Sequence, residues 1–218
     1  MFLTKSTHVS KMYKNDTCVD FCVFLYGGMR MSTKGEKTKE FILDASYGLF
    51  AKKGFKQVTM KDVCEVTDMS RGGLYSHFSS TSQIFEALLE RMTEKDELDF
   101  DSEISKGTSA VKILSRAFAL LENEVKHPED SLSIAMYEYA EMVDSSLMED
   151  LNKASEKKWS KLIRYGIKTG EFNDVNVNEI VSIILYSYQG VRMWSRVVPM
   201  KQKTIHSIIE NIKKQLLN

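Results

Sequence analysis

The sequence predicts an all-α protein: a small N-terminal unit of three helices containing a helix-turn-helix, followed by a larger helical unit. Three observations predict it. Apolar residues recur at helical spacing in segment after segment from residue 39 onward. No strand-like alternation is evident, and two prolines are the only ones in 218 residues. Residues 59–78 read as two short helices bent around a tight turn, which presents the N-terminal end of the second helix outward, where it can enter a DNA major groove.

The first thirty residues differ from the rest. The apolar run 21–26 is far too short to span a bilayer. Asp20 interrupts the apolar region and no small-residue cleavage site follows, which makes a poor secretory signal. Residues 1–30 are therefore expected to be a non-native or disordered leader, with Gly27-Gly28 translated from a ribosome-binding sequence ahead of a start at Met31 or Met29. The expected division is 1–30 leader, 31–80 helix-turn-helix unit and 81–218 larger helical unit.

In the smaller unit, Phe41, Ile42, Ala45, Leu49 and Phe50 form one stripe of a helix over 39–55, ended by Lys52-Lys53-Gly54, a cationic last turn with a C-cap glycine. Thr59 is an N-cap for the next helix, with Asp62 where a carboxylate favours a helix N-terminus. Met60, Val63 and Val66 give that helix one apolar face, and Thr67-Asp68-Met69 breaks the pattern. Ser70 caps a second helix whose Leu74 and Phe78 must face the same partner. Gly72 and Ser76 then point away from it, with Gly73, Tyr75 and His77 on the flanks. Two adjacent glycines in a first turn cost about 2 kcal/mol against alanines. A backbone that must approach something flat and bulky, such as a DNA groove, accounts for that cost. Ser79-Ser80-Thr81-Ser82 then opens a long helix striped by Ile84, Phe85, Leu88, Leu89 and Met92.

Charge narrows the function. The formal net charge is +0, and residues 34–91 carry nine Lys/Arg against eight Asp/Glu. A promiscuous, charge-driven nucleic-acid binder is strongly basic. A dimer that aims a few donors and helix N-termini at phosphates remains compatible with this balance. Three cysteines, two of them in the leader, give no disulfide framework. Cys18-x-x-x-Cys22 lacks a second ligand pair, and Cys64 reads as a small residue of a short helix rather than a redox sensor.

The segment 42–50, Gly54-Phe55, Val58-Thr59-Met60 and, above all, Ser70-Arg71-Gly72-Gly73-Leu74-Tyr75-Ser76-His77-Phe78 resemble the DNA-binding domain of the TetR family of bacterial one-component transcription regulators. The resemblance implies a cytoplasmic homodimer that represses from a palindromic double-stranded DNA operator, is released by a small-molecule inducer and needs no cofactor or metal. It implies that Thr59, Ser70, Arg71, Tyr75 and His77 face DNA, with phosphates held by the threonine, the tyrosine and the histidine, and bases read by the first turn of the second helix; Lys61, Gly72 and Gly73 complete the expected DNA-binding set. Two departures stand out. Members often carry Thr or Ser where Gly73 stands and Lys where Thr81 stands, so one base contact is expected to be missing here and one phosphate contact weaker.

The larger unit continues in stripes. Val111, Leu114, Phe118 and Leu121 mark one helix, stopped by His127-Pro128; Leu132, Ala135, Met136, Tyr139 and Met142 mark the next. Leu147, Leu151, Trp159, Leu162, Ile163 and Ile167 run along a long helix closing at Gly170, and Asn176 or Asn178 can cap its successor. The stretch 180–198 is apolar on most sides, yet Arg192 and Arg196 argue against a membrane span. It and the final helix are expected either to pair with their copies across a two-fold axis, through Ile184, Tyr188, Trp194, Ile205, Ile208 and Ile212, or only to complete the monomer core. Phe118, Met136, Tyr139, Met142 and Trp159, with Tyr137 and Tyr165, either line a ligand pocket, as the resemblance implies, or are plain core. The helix from Thr81 is expected to join head to pocket as a lever.

Enzyme readings fare poorly. Glu124-x-x-His127 has the carboxylate–histidine spacing of di-iron bundles, but it occurs once, beside Pro128. No Gly-rich phosphate loop follows a strand, and His8, His77, His127 and His206 accompany no nucleophile motif. The competing reading is a helical interaction protein that uses its apolar C-terminal helices and binds no DNA.

Overall fold

The computed structural model describes residues 33–217 apart from 95–97 and 144. The expected leader, with Cys18 and Cys22, lies outside the described residues. Among these, ten α-helices and no strand occur: α1 Lys34–Lys53, α2 Met60–Thr67, α3 Arg71–Tyr75, α4 Thr81–Glu94, α5 Phe100–Ser105, α6 Ala110–Lys126, α7 Ser133–Met142, α8 Ser146–Lys168, α9 Val177–Ser195 and α10 Gln202–Leu216, with a 3-10 turn at Pro128–Asp130.

Helix α1 starts five residues before its apolar stripe suggests. A capping box sets the start: Glu36 N–H donates to Thr33 Oγ1 at 3.2 Å, and Thr33 N–H donates to the Glu36 carboxylate at 2.6 Å. It ends where Gly54, at φ 76°, donates its N–H to Phe50 O at 2.9 Å, a backbone shape that side-chain-bearing residues resist. The buried face also shifts from the expected stripe. Phe41 is 47% exposed, while Leu43 and Ser46 are buried.

Two apolar cores result. The head core joins α1, α2, α3 and the first three turns of α4, and it also takes in Leu132, Ala135 and Tyr139 of α7 and its approach. Its centre is aromatic: Phe50 and Phe85 lie 4.9 Å apart between ring centroids, Phe55 and Phe85 5.3 Å, and Tyr139 meets Phe55 edge-on at 5.1 Å. The packing therefore does not divide at residue 80. The body core joins α5, α6, α8, α9 and α10. The helix from Thr81 is α4, and Thr81–Glu94 are its bounds. After α4 ends at Glu94, α5 starts from Asp99, whose carboxylate accepts from the N–H groups of Asp101 and Ser102, and turns Phe100 edge-on to Trp159 at 5.3 Å.

The far end of the body is locked by a reversal after α8. Glu171 and Phe172 both donate backbone N–H to Gly166 O, and the Phe172 ring lies 2.2 Å from where a Cβ on Gly166 would stand, so only glycine fits there. The reversal delivers Glu171 to the start of α6, whose own cap residue Ser109 makes no side-chain cap bond. Glu171 accepts from the Ser109 hydroxyl and from the N–H groups of Ala110 at 3.1 Å and Val111 at 3.2 Å. These bonds, the Ser109 hydroxyl foremost, pull the carboxyl down to about 2. A depressed acid stabilises the fold above its unfolded value and loses that contribution as pH falls through its folded one. Glu171→Gln is expected to lower stability by about 1 kcal/mol at pH 7, in line with a lost cap. The gap to the unaltered protein should close between about pH 4.5 and 2 in thermal melts.

Candidate nucleic-acid interface

The turn between α1 and α2 positions the outward end of the head. Thr59 and Asp62 form a reciprocal capping box: Asp62 N–H donates to Thr59 Oγ1 at 3.2 Å, while Asp62 accepts from Thr59 N–H at 2.8 Å and from the Thr59 hydroxyl at 2.6 Å. Lys53 Nζ adds an ion pair at 2.6 Å. Lys53 first, then Thr59, holds the Asp62 carboxyl far below the usual carboxylate range. The Thr59 hydroxyl proton is thus already committed, and a DNA phosphate would have to compete with Asp62 for it.

Helix α2 stops at Asp68, which takes the left-handed conformation at φ 54°, a shape that short polar residues tolerate. Ser70 then caps α3 by accepting from Gly73 N–H at 3.1 Å. Regular α-helix covers only Arg71–Tyr75, shorter than the span to Phe78 that the sequence suggests, because His77 and Phe78 both donate to Leu74 O and tighten the end. Leu74 and Phe78 point inward as expected. Arg71, Gly72 and Ser76 are exposed, Tyr75 is 48% exposed, and Gly73 and His77 are half-buried. The two glycines differ. A Cβ on Gly72 would meet nothing within 4 Å, whereas one on Gly73 would press the Ser70 Oγ at 3.2 Å.

Ion pairing decides which cations of the neutral head are available. Of its nine, Lys53, Lys56, Lys61 and Arg91 have a carboxylate within 4.0 Å: Asp62, Glu141, Glu65 at 3.6 Å, and Glu40 with Asp44. Among the described residues, Arg71 has no such partner and stands on the first turn of α3. Lys39 was not in the expected set. Its ammonium lies 5.8 Å from the Phe78 ring centroid, beside the end of the recognition segment. The signal was its position three residues before buried Ile42, on the same helical face.

The expected pocket residues do not gather. Phe118 stacks on Trp159 at 5.9 Å in the body core, Tyr139 sits in the head core, Met136 packs beside that core, and Met142 is 56% exposed. The stripe splits because α7 serves the head. Two cavities among the described residues bear on them. One, of about 310 Å³, lies between α4, α7 and α8 and is lined by Glu86, Glu90, Tyr139 and Leu147; the Tyr139 hydroxyl donates to Glu86 at 2.6 Å. The other, of about 30 Å³, is an apolar crevice between α6, α9 and α10 reaching Phe118 and Tyr188.

The expected dimer contacts also need correction. Ile184, Ile205 and Ile212 are buried in the protomer's own core, and Ile208 packs against it. Tyr188 is half-buried with its hydroxyl on Glu124, and burial pushes the phenol up. Only Trp194, at 58%, is exposed. The outward apolar face of α9 and its end is instead Ile183, Tyr186, Trp194 and Val197, passing over Gly190. Periodicity shows that α9 has two apolar faces but not which one meets α10.

A capped helix pair that offers a short second helix to solvent, carried on a helical body, defines a helix-turn-helix regulator. Residues 42–88 match the bacterial regulatory proteins of the tetR family. The uncharacterised HTH-type transcriptional regulator YfiR of Bacillus subtilis is 31% identical over 147 residues, covering 64% of this chain and 70% of that protein. The HTH-type transcriptional repressor KstR2 of Mycolicibacterium smegmatis is 24% identical over 155 residues, covering 67% and 73%. The fold is shared with a TetR-family regulator from Agrobacterium tumefaciens, at TM-score 0.71, 12% identity and coverage of 84% of this chain and 100% of that one. The chain belongs to the TetR family of DNA-binding transcriptional regulators. No helix among the described residues is long and apolar enough to cross a membrane. Ser70→Ala, which removes the cap of α3, is expected to cost about 1 kcal/mol, read as a lower melting temperature with the fold retained by circular dichroism.

Proposed function

We propose that this protein is a repressor that binds a palindromic operator as a homodimer and is released by a small molecule. The observation that carries the reading is the tip of α3: an Arg71 with no carboxylate partner among the described residues, a Gly72 with open space above it and an exposed Tyr75. Arg71 is the base reader, since a guanidinium fits the guanine edge with two donors. Tyr75, His77 and the first-turn backbone of α3 hold phosphates, and Ser70, Gly72 and Gly73 keep that turn capped and slim enough to approach. Thr59 and Lys61 contribute at the edge, each after giving up an intramolecular partner.

The dimer rests on the outer face of α9. Ile183, Tyr186, Trp194 and Val197 are too many large apolar groups in line for a face left to water. Gly190, in their midst, meets nothing within 4 Å of its added Cβ, which suits the close approach of a second helix. The name of the KstR2 relatives, as repressors, favours repression. The cavity of about 310 Å³ between α4, α7 and α8 is the larger of the two described. It stands at the lower end of the range for small-molecule sites. A ligand that prefers a state with these helices parted would shift the population away from the DNA-competent one. A DNA target places the protein in the cytoplasm.

Gel mobility shift on the DNA upstream of its own gene tests the reading; no shift at any concentration would leave only a helical interaction protein. Tyr75→Phe is expected to weaken binding alike on all sequences. Arg71→Ala should lose about 1–3 kcal/mol and relax the preference at one base position. Equal, sequence-independent losses would show that the base reader is another residue. Trp194→Glu is expected to turn the dimer into a monomer by sedimentation and to remove operator binding with it.

A further inference from the structure

Arg196 follows α9 directly and reaches away from the apolar outer face, into the joint between body and head. Its guanidinium donates to Pro128 O at 2.9 Å, in the turn after α6, and to Ala51 O at 2.7 Å, in the last turn of α1. The last carbonyls of a helix lack partners within it. Gly54 serves Phe50 O, and Arg196 serves Ala51 O across 145 positions of sequence. A cation there also matches the negative end of the helix dipole. Its Nε is buried with no hydrogen-bond partner among the described residues. Such a loss is unusual, and the guanidinium accepts it while spanning the two carbonyls.

The surroundings make this contact directional. One turn earlier, Arg192 is buried and fastened to Glu124 at 2.8 Å and to the Ser131 hydroxyl at 3.0 Å, which fixes α9 on the corner after α6. On the opposite side of the same turns stand Trp194 and Val197. The α9 terminus therefore touches the outer face and the head within a few residues. Among the described residues, further ties to the head come from α7 and α8: Glu138 accepts from Lys56 N–H at 2.9 Å, Glu141 pairs with Lys56 at 2.8 Å, Tyr139 meets Phe55, and Leu147 and Met148 pack against the head core. Without Arg196 the head stays attached through these contacts but loses its tie to the end of α9.

We propose that Arg196 is a positioning residue for DNA recognition: by holding Ala51 O it fixes the angle of the head against the dimer face, and so the separation of the two recognition helices. This rests on the dimer proposed above. A tie that served stability alone would change melting temperature and leave the choice among operator spacings untouched.

The test uses the full chain. Its oligomeric state is measured first by sedimentation. Protein with and without Arg196→Gln is then titrated against the fragment footprinted upstream of its own gene, and against copies with the half-sites moved by one and two base pairs. The unaltered dimer is expected to lose about tenfold or more on moved half-sites, comparable to a mismatched base pair. With Arg196→Gln that loss should shrink to about threefold or less, with native-spacing affinity reduced. Arg196→Lys keeps the charge but serves one carbonyl well; it is expected to be intermediate and decides the matter if the glutamine variant does not fold. A variant that discriminates spacing as sharply as the unaltered dimer overturns the role of Arg196 and leaves the dimer standing. A monomeric unaltered protein, or one that binds no DNA, overturns the dimer or operator reading itself and this inference with it.

Discussion

The head cannot complete its own core. Phe50, Phe55 and Phe85 leave one side of their cluster to Tyr139 of α7, and Leu132 and Ala135 extend that cover. Removing one large aromatic from such a site typically costs about 3–5 kcal/mol, a large part of a domain's total stability. The reading element is thus bound to the body by the same apolar contacts that keep it folded. Movement of α7 changes what the head rests on, and α7 also walls the larger cavity. In the ligand-responsive repressor proposed above, this shortens the path between cavity and head to a single shared helix.

Electrostatics serve precision rather than attraction. Four of the head's nine cations are engaged by its own or the body's carboxylates, and Asp62 alone takes up Lys53 and both donors of Thr59. The other five have no such partner among the described residues: Lys34, Lys37, Lys39 and Lys52 on α1, with Lys39 beside Phe78, and Arg71 on α3. Few free cations mean few counterions released on a duplex and weak attachment to arbitrary sequence. In the dimer proposed above, discrimination then falls to geometry, to which helix end faces which groove and how far apart the two heads stand.

Local signals in the sequence carried most of this. Thr59, Ser70, Gly54 and Asn176 cap or close the elements their residue types suggest, because a cap depends only on neighbours within a few positions. The orientation of α3 was legible for the same reason: Leu74 and Phe78 share one side. Long-range choices were not legible. Whether Tyr139 lines a pocket or finishes a neighbouring core, and whether Ile184 or Ile183 looks outward, depends on which surfaces meet, and apolar periodicity is blind to that. The bonds of Glu171 and Arg196, to groups 60 and 145 positions away, lie beyond any local pattern.

Gly54 brings these strands together. Its left-handed backbone closes α1, and a Cβ there would stand 2.5 Å from the Glu138 oxygen that receives Lys56 N–H. Even a methyl group at this position would strain the turn and evict the carboxylate on which the head leans. For the inducible repressor proposed above, a screen for cells that have lost silencing would therefore surface alterations at a residue that meets neither duplex nor effector, with a phenotype that mimics permanent induction.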